Sequence, residues 1–373
     1  MTDNRKLFDA LIEDNKIEIK RGALFDYGPV PVPDDSIFSR IEGMMLGLAI
    51  GDALGNTTEG QLPEARYKRH GEIRDYLPNR YTNNETKGVP TDDTQLAFWT
   101  LEQLIADEGF VPENLADRFC RDQIFGIGST VWEFLSNYKS GKSWYECGPH
   151  SAGNGALMRI APMIIPYIRT GGTGLWIDTA LSAMLTHNDT GSISACLAFA
   201  YIYWNLMKMN TPPEPSWWID TYVKIAKKLE TGKPYKPRGG KFANYKGTIW
   251  AFANEKVRDA YDQDVLITDA CQSWYSGAYL LETVPSVIYI LMKHGDDPEE
   301  AIVRAVNDTK DNDTIAAIVG AAVGALHGIE NLPEKWLSNL LGRTSFHDDG
   351  HIFELLKRIN RLWADREGIF KIQ

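Results

Sequence analysis

The sequence predicts an all-α protein, and three observations carry that prediction. Apolar residues recur at helical spacing along most of the chain, convincing strand-type alternation is nearly absent, and Gly, Pro and Asn fall in the connections between periodic segments. With 43% hydrophobic, 24% charged and 11% aromatic residues over 373 positions, the chain has ample material for a core and is not extensively disordered. That length admits two domains or one large helical domain.

The elements follow in order. A helix is expected near 3–15, where Leu7, Phe8, Leu11 and Ile12 line one side. The next, 37–54, runs into a stripe of Gly43, Gly47, Gly51 and Gly55 at four-residue intervals. Each interior glycine costs roughly 1 kcal/mol relative to alanine, so the stripe implies helix packing at close range or close approach of a ligand. A helix at 91–107 opens on Val89-Pro90-Thr91-Asp92-Asp93-Thr94, where Thr91 suits an N-cap and the two acids suit the first turn. Helices near 112–124 and 129–138 follow, then a Gly153-Asn154-Gly155 turn feeding 155–168. Helices at 174–186 and 191–208 are joined by Thr186-His187-Asn188-Asp189-Thr190-Gly191. The apolar run Ile193 to Met207 contains Ser194, Tyr201, Tyr203 and Asn205 and falls short of the ~20 residues of a membrane span, so it reads as a buried helix. Further helices are expected near 215–230, 247–261, 277–294, 297–308, 313–327, 331–341 and 351–365. The connections at 16–36, 69–90 and 231–246 have the length of functional loops.

Chemistry concentrates at helix starts. Alone, Thr91-Asp92-Asp93-Thr94 is an ordinary helix opening, but Asp311-Asn312-Asp313-Thr314 repeats an acidic pair and a Thr before a second apolar helix. If the two starts face one another, four carboxylates converge and raise one another's pKa unless a cation intervenes. Two divalent cations would satisfy them, and a set of Asp and Thr oxygens without His or Cys favours Mg²⁺ or Mn²⁺ over Zn²⁺. Glu59, just past the glycine stripe, is either a plain loop acid or faces that cluster. Gly153-Asn154-Gly155 is either a turn or a set of N–H groups for phosphate oxygens, and it lacks the Lys-Ser/Thr ending of a Walker loop. His187 is either structural or presented to a ligand.

A net charge of −11 disfavours non-specific nucleic-acid or anionic-membrane binding, and makes a bound cation useful towards a phosphate-bearing substrate. Cys120, Cys147, Cys196 and Cys271 are scattered without zinc spacing and read as free thiols of a reducing compartment. With no signal-peptide pattern at the N-terminus, a cytoplasmic location is expected.

In this order, the segments GLAIGDALGNTTEG, PTDDTQLAFW, SAGNGALMRIAPM, LTHNDTGSISA, GAYLLETVPSVIYIL and DNDTIAAIVGAAVGALHG resemble the ADP-ribosylglycohydrolase family, from about Phe38 to His327. The resemblance implies a compact all-α domain, residues 37–373, behind an N-terminal extension, residues 1–36. It also implies a two-metal centre at the bottom of an ADP-ribose cleft. Thr91, Asp92 and Asp93 match one ligand group and Asp311, Asp313 and Thr314 the other, while Glu59 matches an acid close to the ribose. Gly153, Asn154, Gly155, His187, Ser276, Gly277 and Tyr279 lie where relatives contact ADP-ribose. The chain departs from the family at Lys310, where many relatives have glycine, and at Asn312, often Thr. Region 209–270 aligns poorly, which leaves substrate selectivity open.

The activity so implied is hydrolysis of the N-glycosidic bond between ADP-ribose and an arginine of a modified protein, aided by two Mg²⁺ or Mn²⁺ ions. Asp92 or Asp93 would handle the protons of water and leaving group, and Glu59 would orient the ribose or share that role. Two alternatives stand beside it: hydrolysis of another linkage such as serine, and an immunity protein that neutralises an ADP-ribosyltransferase by binding. For the latter, residues 1–36 are the candidate surface, unless they dock on their own core.

Overall fold

A computed structural model describes residues 4–32 and 37–364. Sixteen α-helices run through them. They are α1 Asn4–Glu13, α2 Ile37–Gly55, α3 Pro63–His70, α4 Asp92–Ala106, α5 Pro112–Arg121, α6 Ser129–Lys139, α7 Gly174–Thr186 and α8 Thr190–Leu206. They continue as α9 Pro215–Leu229, α10 Ile249–Asp262, α11 Ile267–Ser273, α12 Leu280–His294, α13 Pro298–Asp308, α14 Asn312–His327, α15 Glu334–Asn339 and α16 His351–Ala364. Among the described residues β pairing is confined to isolated bridges, Gly153 with Tyr279 and Tyr235 with Gly247. No helix there is long and apolar enough to cross a membrane.

The glycine stripe resolves as helix packing. A Cβ on Gly43 would meet the Gly324 carbonyl oxygen at 2.5 Å, one on Gly47 the Gly320 oxygen at 2.2 Å, and one on Gly51 the Ala316 oxygen at 2.1 Å. The partners descend as the glycines ascend, so α2 and α14 lie antiparallel with their backbones in contact. At the end of this seam Gly55 lies against the backbone of Asp313. The packing of two apolar helices thereby brings the loop after α2, which holds Glu59, to the start of α14.

Three expected helices differ. Segment 155–168 is a turn followed by a 3-10 helix, Ala161–Tyr167, because Pro162 and Pro166 remove backbone donors and a proline ring clashes with the carbonyl one turn earlier. The helix expected at 331–341 shrinks to α15, since Pro333 separates it from a 3-10 turn at Ile329–Asn331. The one expected from 277 starts only at Leu280, after Tyr275 and Ser276 adopt positive φ of 80° and 41°. Two short helices, α3 and α11, were not expected.

The extension lies on the core. Phe8 and Leu11 of α1 are buried, and the Phe8 ring packs on Phe25 with centroids 4.5 Å apart. Asn4 donates to Asp178 at 2.7 Å, the Trp176 indole to the Tyr27 carbonyl at 3.0 Å, and Val32 N–H to the Ile168 carbonyl at 2.7 Å. The apolar side of α1, offered above to a partner, is thus spent on this chain's own helices. Residues 33–36 lie outside the described residues. The four cysteines are free thiols.

Candidate active site

The first acidic motif is positioned from below by a residue that the sequence reading passed over. Asp52, fully buried on α2, accepts Thr91 N–H at 2.8 Å, the Thr91 hydroxyl at 2.6 Å, Thr94 N–H at 3.1 Å and the Thr94 hydroxyl at 2.6 Å. Thr91 occupies the N-cap position of α4 but its side chain caps nothing there, contrary to expectation; the capping carboxylate comes from α2. A hydroxyl donated to Asp52 keeps oxygen lone pairs for another partner. With the cap supplied from elsewhere, Asp92 and Asp93 are left to face the cavity.

The second motif is held by the turn before α12. Ser276 accepts Asp311 N–H on its carbonyl at 2.9 Å and Lys310 N–H on its hydroxyl at 3.1 Å. Asp311 accepts the Asn154 amide at 2.6 Å, and the same nitrogen reaches the Thr283 hydroxyl at 3.0 Å. Carboxylate oxygens of Glu59, Asp311 and Asp313 then lie within 4.8 Å of one another. Asp92, Asp93 and Thr314 line the same cavity, outside that trio.

This much acid without cation is electrostatically costly. Burial, then Asp52 and Glu59, push the Asp92 carboxyl well above the usual range; burial, then Asp52 and Asp313, do so for Asp93. Burial and Glu59 raise Asp313 likewise, and burial lifts Asp311 to about 7 against the opposing Asn154 hydrogen bond. Oδ1 of Asp93 is buried with no hydrogen-bond partner. An orphaned carboxylate oxygen beside a close trio of acids is a donor set that hard divalent cations complete, so the residues fit such a centre.

Across the cavity stand the glycines. A Cβ on Gly153 would lie 3.2 Å from His187 Nε2, and one on Gly155 2.9 Å from its Cε1, so the Gly-Asn-Gly segment is laid on the imidazole. His187 meets the Thr186 hydroxyl through Nδ1 at 3.0 Å, and burial followed by Arg159 depresses its pKa to about 3, which keeps it neutral. Behind it Asn188 ties to the extension, donating to the Lys16 carbonyl at 2.7 Å and accepting Glu18 N–H at 3.0 Å.

The cleft has two lobes that share Glu59, Arg238, Ala278 and Asp311. The larger, about 270 Å³, takes in Asp92, Asp93, Asp313, the Gly153–Gly155 segment, His187 and Tyr279. The smaller, about 240 Å³, adds Gly60, Tyr275, Gly277 and Lys310. Of the expected contact residues, Ser276 alone lines neither lobe; it serves the 310–311 backbone instead. Arg238 and Tyr275 were missed. Arg238 is fixed by the fully buried Glu282, with NH2 to Oε2 at 2.9 Å, and lies 5.2 Å from the Tyr279 ring centroid; it falls in the stretch that aligned poorly and carried no motif. Lys310 donates to the Tyr275 hydroxyl. Asp52 did leave a signal, as an acid set in the apolar run that follows Gly43 on α2.

The sequence profile described as ADP-ribosylglycohydrolase matches residues 33–368. A protein of uncharacterised function from Archaeoglobus fulgidus is 30% identical, with 87% of this chain and 99% of that protein covered. The ADP-ribosylarginine hydrolase Tri1 of Serratia proteamaculans is 27% identical, covering 84% of this chain and 78% of its own length. A solved structure titled ADP-ribosylglycohydrolase-related protein complex superposes with a TM-score of 0.64 at 23% identity, over 88% of this chain and 99% of that one, which concerns the fold alone.

Proposed function

This chain belongs to the ADP-ribosylglycohydrolase family, and on that premise we propose that it hydrolyses the N-glycosidic bond of ADP-ribosyl-arginine on modified proteins with the help of two divalent cations, Mg²⁺ or Mn²⁺. The family supports hydrolysis of ADP-ribose linkages; the arginine linkage is supported by the relative named an ADP-ribosylarginine hydrolase. The observation that carries the reading is the trio Glu59, Asp311 and Asp313 beside the partnerless Asp93 oxygen, at the junction of two lobes.

Thr91, Asp92, Asp93, Asp311, Asp313 and Thr314 are the residues to hold the cations, with Glu59 at their edge. Bound there, the cations would hold the ribose hydroxyls in place, favour a deprotonated water and stabilise the negative charge that develops on it. The chain's own residues do the remainder. The His187-backed Gly153–Gly155 segment and Tyr279 cradle the ADP-ribose, the neutral imidazole adding no charge of its own. Asp92 or Asp93 takes a proton from the attacking water as its oxygen bonds to the anomeric carbon; the C–N bond breaks with its electron pair going to nitrogen, and the same carboxyl passes that proton to the departing guanidine. Glu59, paired with Arg80 at 2.8 Å, orients the ribose.

The test incubates purified protein with Arg-, Ser- and phosphate-linked ADP-ribosyl substrates with Mg²⁺ or Mn²⁺ and follows free ADP-ribose. Release from the arginine linkage that chelation abolishes is expected. Release from serine alone moves the substrate, and release from none removes the enzymatic reading.

A further inference from the structure

A cavity on the extension side is larger than either lobe of the cleft, about 400 Å³ against 270 and 240 Å³, and the reaction above makes no use of it. It opens between residues 23–30 and helices α7, α8 and α9. Its walls are aromatic: Trp176 and Trp204, each only 1% exposed, with Tyr201 and Tyr27. Its charge is of one sign. Lys208, Lys224 and Lys228 line it and, among the described residues, no carboxylate does, in a chain whose net charge is −11.

The ammonium groups rest on neutral acceptors. Lys224 donates to the Tyr201 hydroxyl at 3.0 Å, and Lys208 donates to the Val30 carbonyl at 3.3 Å while lying 5.2 Å from the Trp204 ring centroid. Burial lowers the pKa of Lys208, with only Tyr201 opposing it. The lip is apolar although it faces water: Tyr27 is 76% and Val30 73% exposed. Hydrogen bonds to its carbonyls hold that lip in place, from the Trp176 indole N–H to Tyr27 and from Gly172 N–H to Pro29 at 3.1 Å.

We propose that this cavity is a second ligand site, for a small flat aromatic acid. The volume lies within the roughly 300–1,000 Å³ of small-molecule sites. An aromatic body buries against the accessible rings of Tyr27 and Tyr201, with the indoles of Trp176 and Trp204 behind them, and a carboxylate or sulfonate at the mouth meets lysines whose described hydrogen-bond partners are neutral. A bare inorganic anion would leave the aromatic walls unused. A neutral arene would leave the lysines unused.

The full chain is titrated with 2-naphthoate and with uncharged 2-naphthamide, binding being read by tryptophan quenching and calorimetry. Saturable binding of one naphthoate per chain is expected, with the amide at least about tenfold weaker. The double variant Lys224→Gln/Lys228→Gln should lose at least about tenfold in naphthoate affinity, keep its amide affinity, and hydrolyse ADP-ribosyl substrate as the parent does. Both lysines are exposed and carry no salt bridge to the described residues, so folding, followed by melting, should persist. A Lys224→Glu variant should bind 2-naphthylmethylamine better than the parent does. Equal affinity for acid and amide, unchanged naphthoate binding in the folded double variant, or no saturable binding at all overturns the proposal.

Discussion

The carboxylate of Asp52 on α2 receives both the N–H and the hydroxyl of Thr91, at 2.8 and 2.6 Å, so one helix supplies the cap of another and fixes where the first acidic motif stands. Replacing Asp52 by Ala strands four donors of Thr91 and Thr94 in the interior. The loss should be about 2–4 kcal/mol, a cap plus unsatisfied polar groups, and hydrolysis should fall even at temperatures where the variant is fully folded. Asp52→Asn retains an acceptor and should fall in between. Urea titration alongside single-turnover assays separates the two effects, and unchanged stability in the Ala variant would refute the capping role.

Asp92→Ala, Asp93→Ala and Asp311→Ala should each lower turnover by roughly 10²–10⁴-fold, the scale of losing a proton-handling or charge-organising group. In metal-free protein their melting temperatures should be unchanged or raised, because each removes one member of a repelling, buried set. Near-parental turnover in any two of them, after metal depletion and restoration, would remove the two-cation assignment.

The pH dependence of stability has a definite sign at Asp178. Burial raises its carboxyl from 3.8 to about 7 in the folded protein, against hydrogen bonds from Tyr167 and Asn4. The folded state therefore holds a proton that the unfolded state has released across that window. The associated stability is complete below about pH 4 and is lost as pH rises through about 7, on the order of a few kcal/mol. Melting temperatures measured from pH 4 to 8 should fall across this range, and Asp178→Asn should flatten part of the slope; an identical slope in the variant would sink the assignment.

Deleting residues 1–32 removes the buried Phe8, Leu11 and Phe25, each carrying about 1.5–3 kcal/mol of burial. It also removes the backbone that holds Asn188 beside His187. The truncated protein should melt much earlier and turn over more slowly. If instead it stays stable and active while losing binding to an ADP-ribosyltransferase, the extension is a partner surface after all.

What the sequence made legible was what repeats locally. Two acid-Thr helix starts, the glycine stripe and the Gly-Asn-Gly turn could each be read from short windows, and the structure gathers Glu59, Asp92, Asp93, Asp311 and Asp313 around one cavity. Residues whose meaning depends on distant chain were harder. Asp52 acts on Thr91 across 39 positions, and Arg238 is set by Glu282 across 44, relations that no periodicity encodes. The Pro162 and Pro166 pair was visible and outweighs the apolar spacing that suggested an α-helix over 155–168.

The backbone seam between α2 and α14 behaves like the meshed teeth of two gears. One residue of an α-helix corresponds to about 100° of rotation, so a single deletion between Gly43 and Gly55 would swing side chains into the Gly320 and Gly324 carbonyls and turn Glu59 away from Asp313. Length changes are tolerable only beyond the meshed stretch, or in steps that restore the phase. The geometry of the acidic trio is thus protected by a clash penalty along the seam behind it.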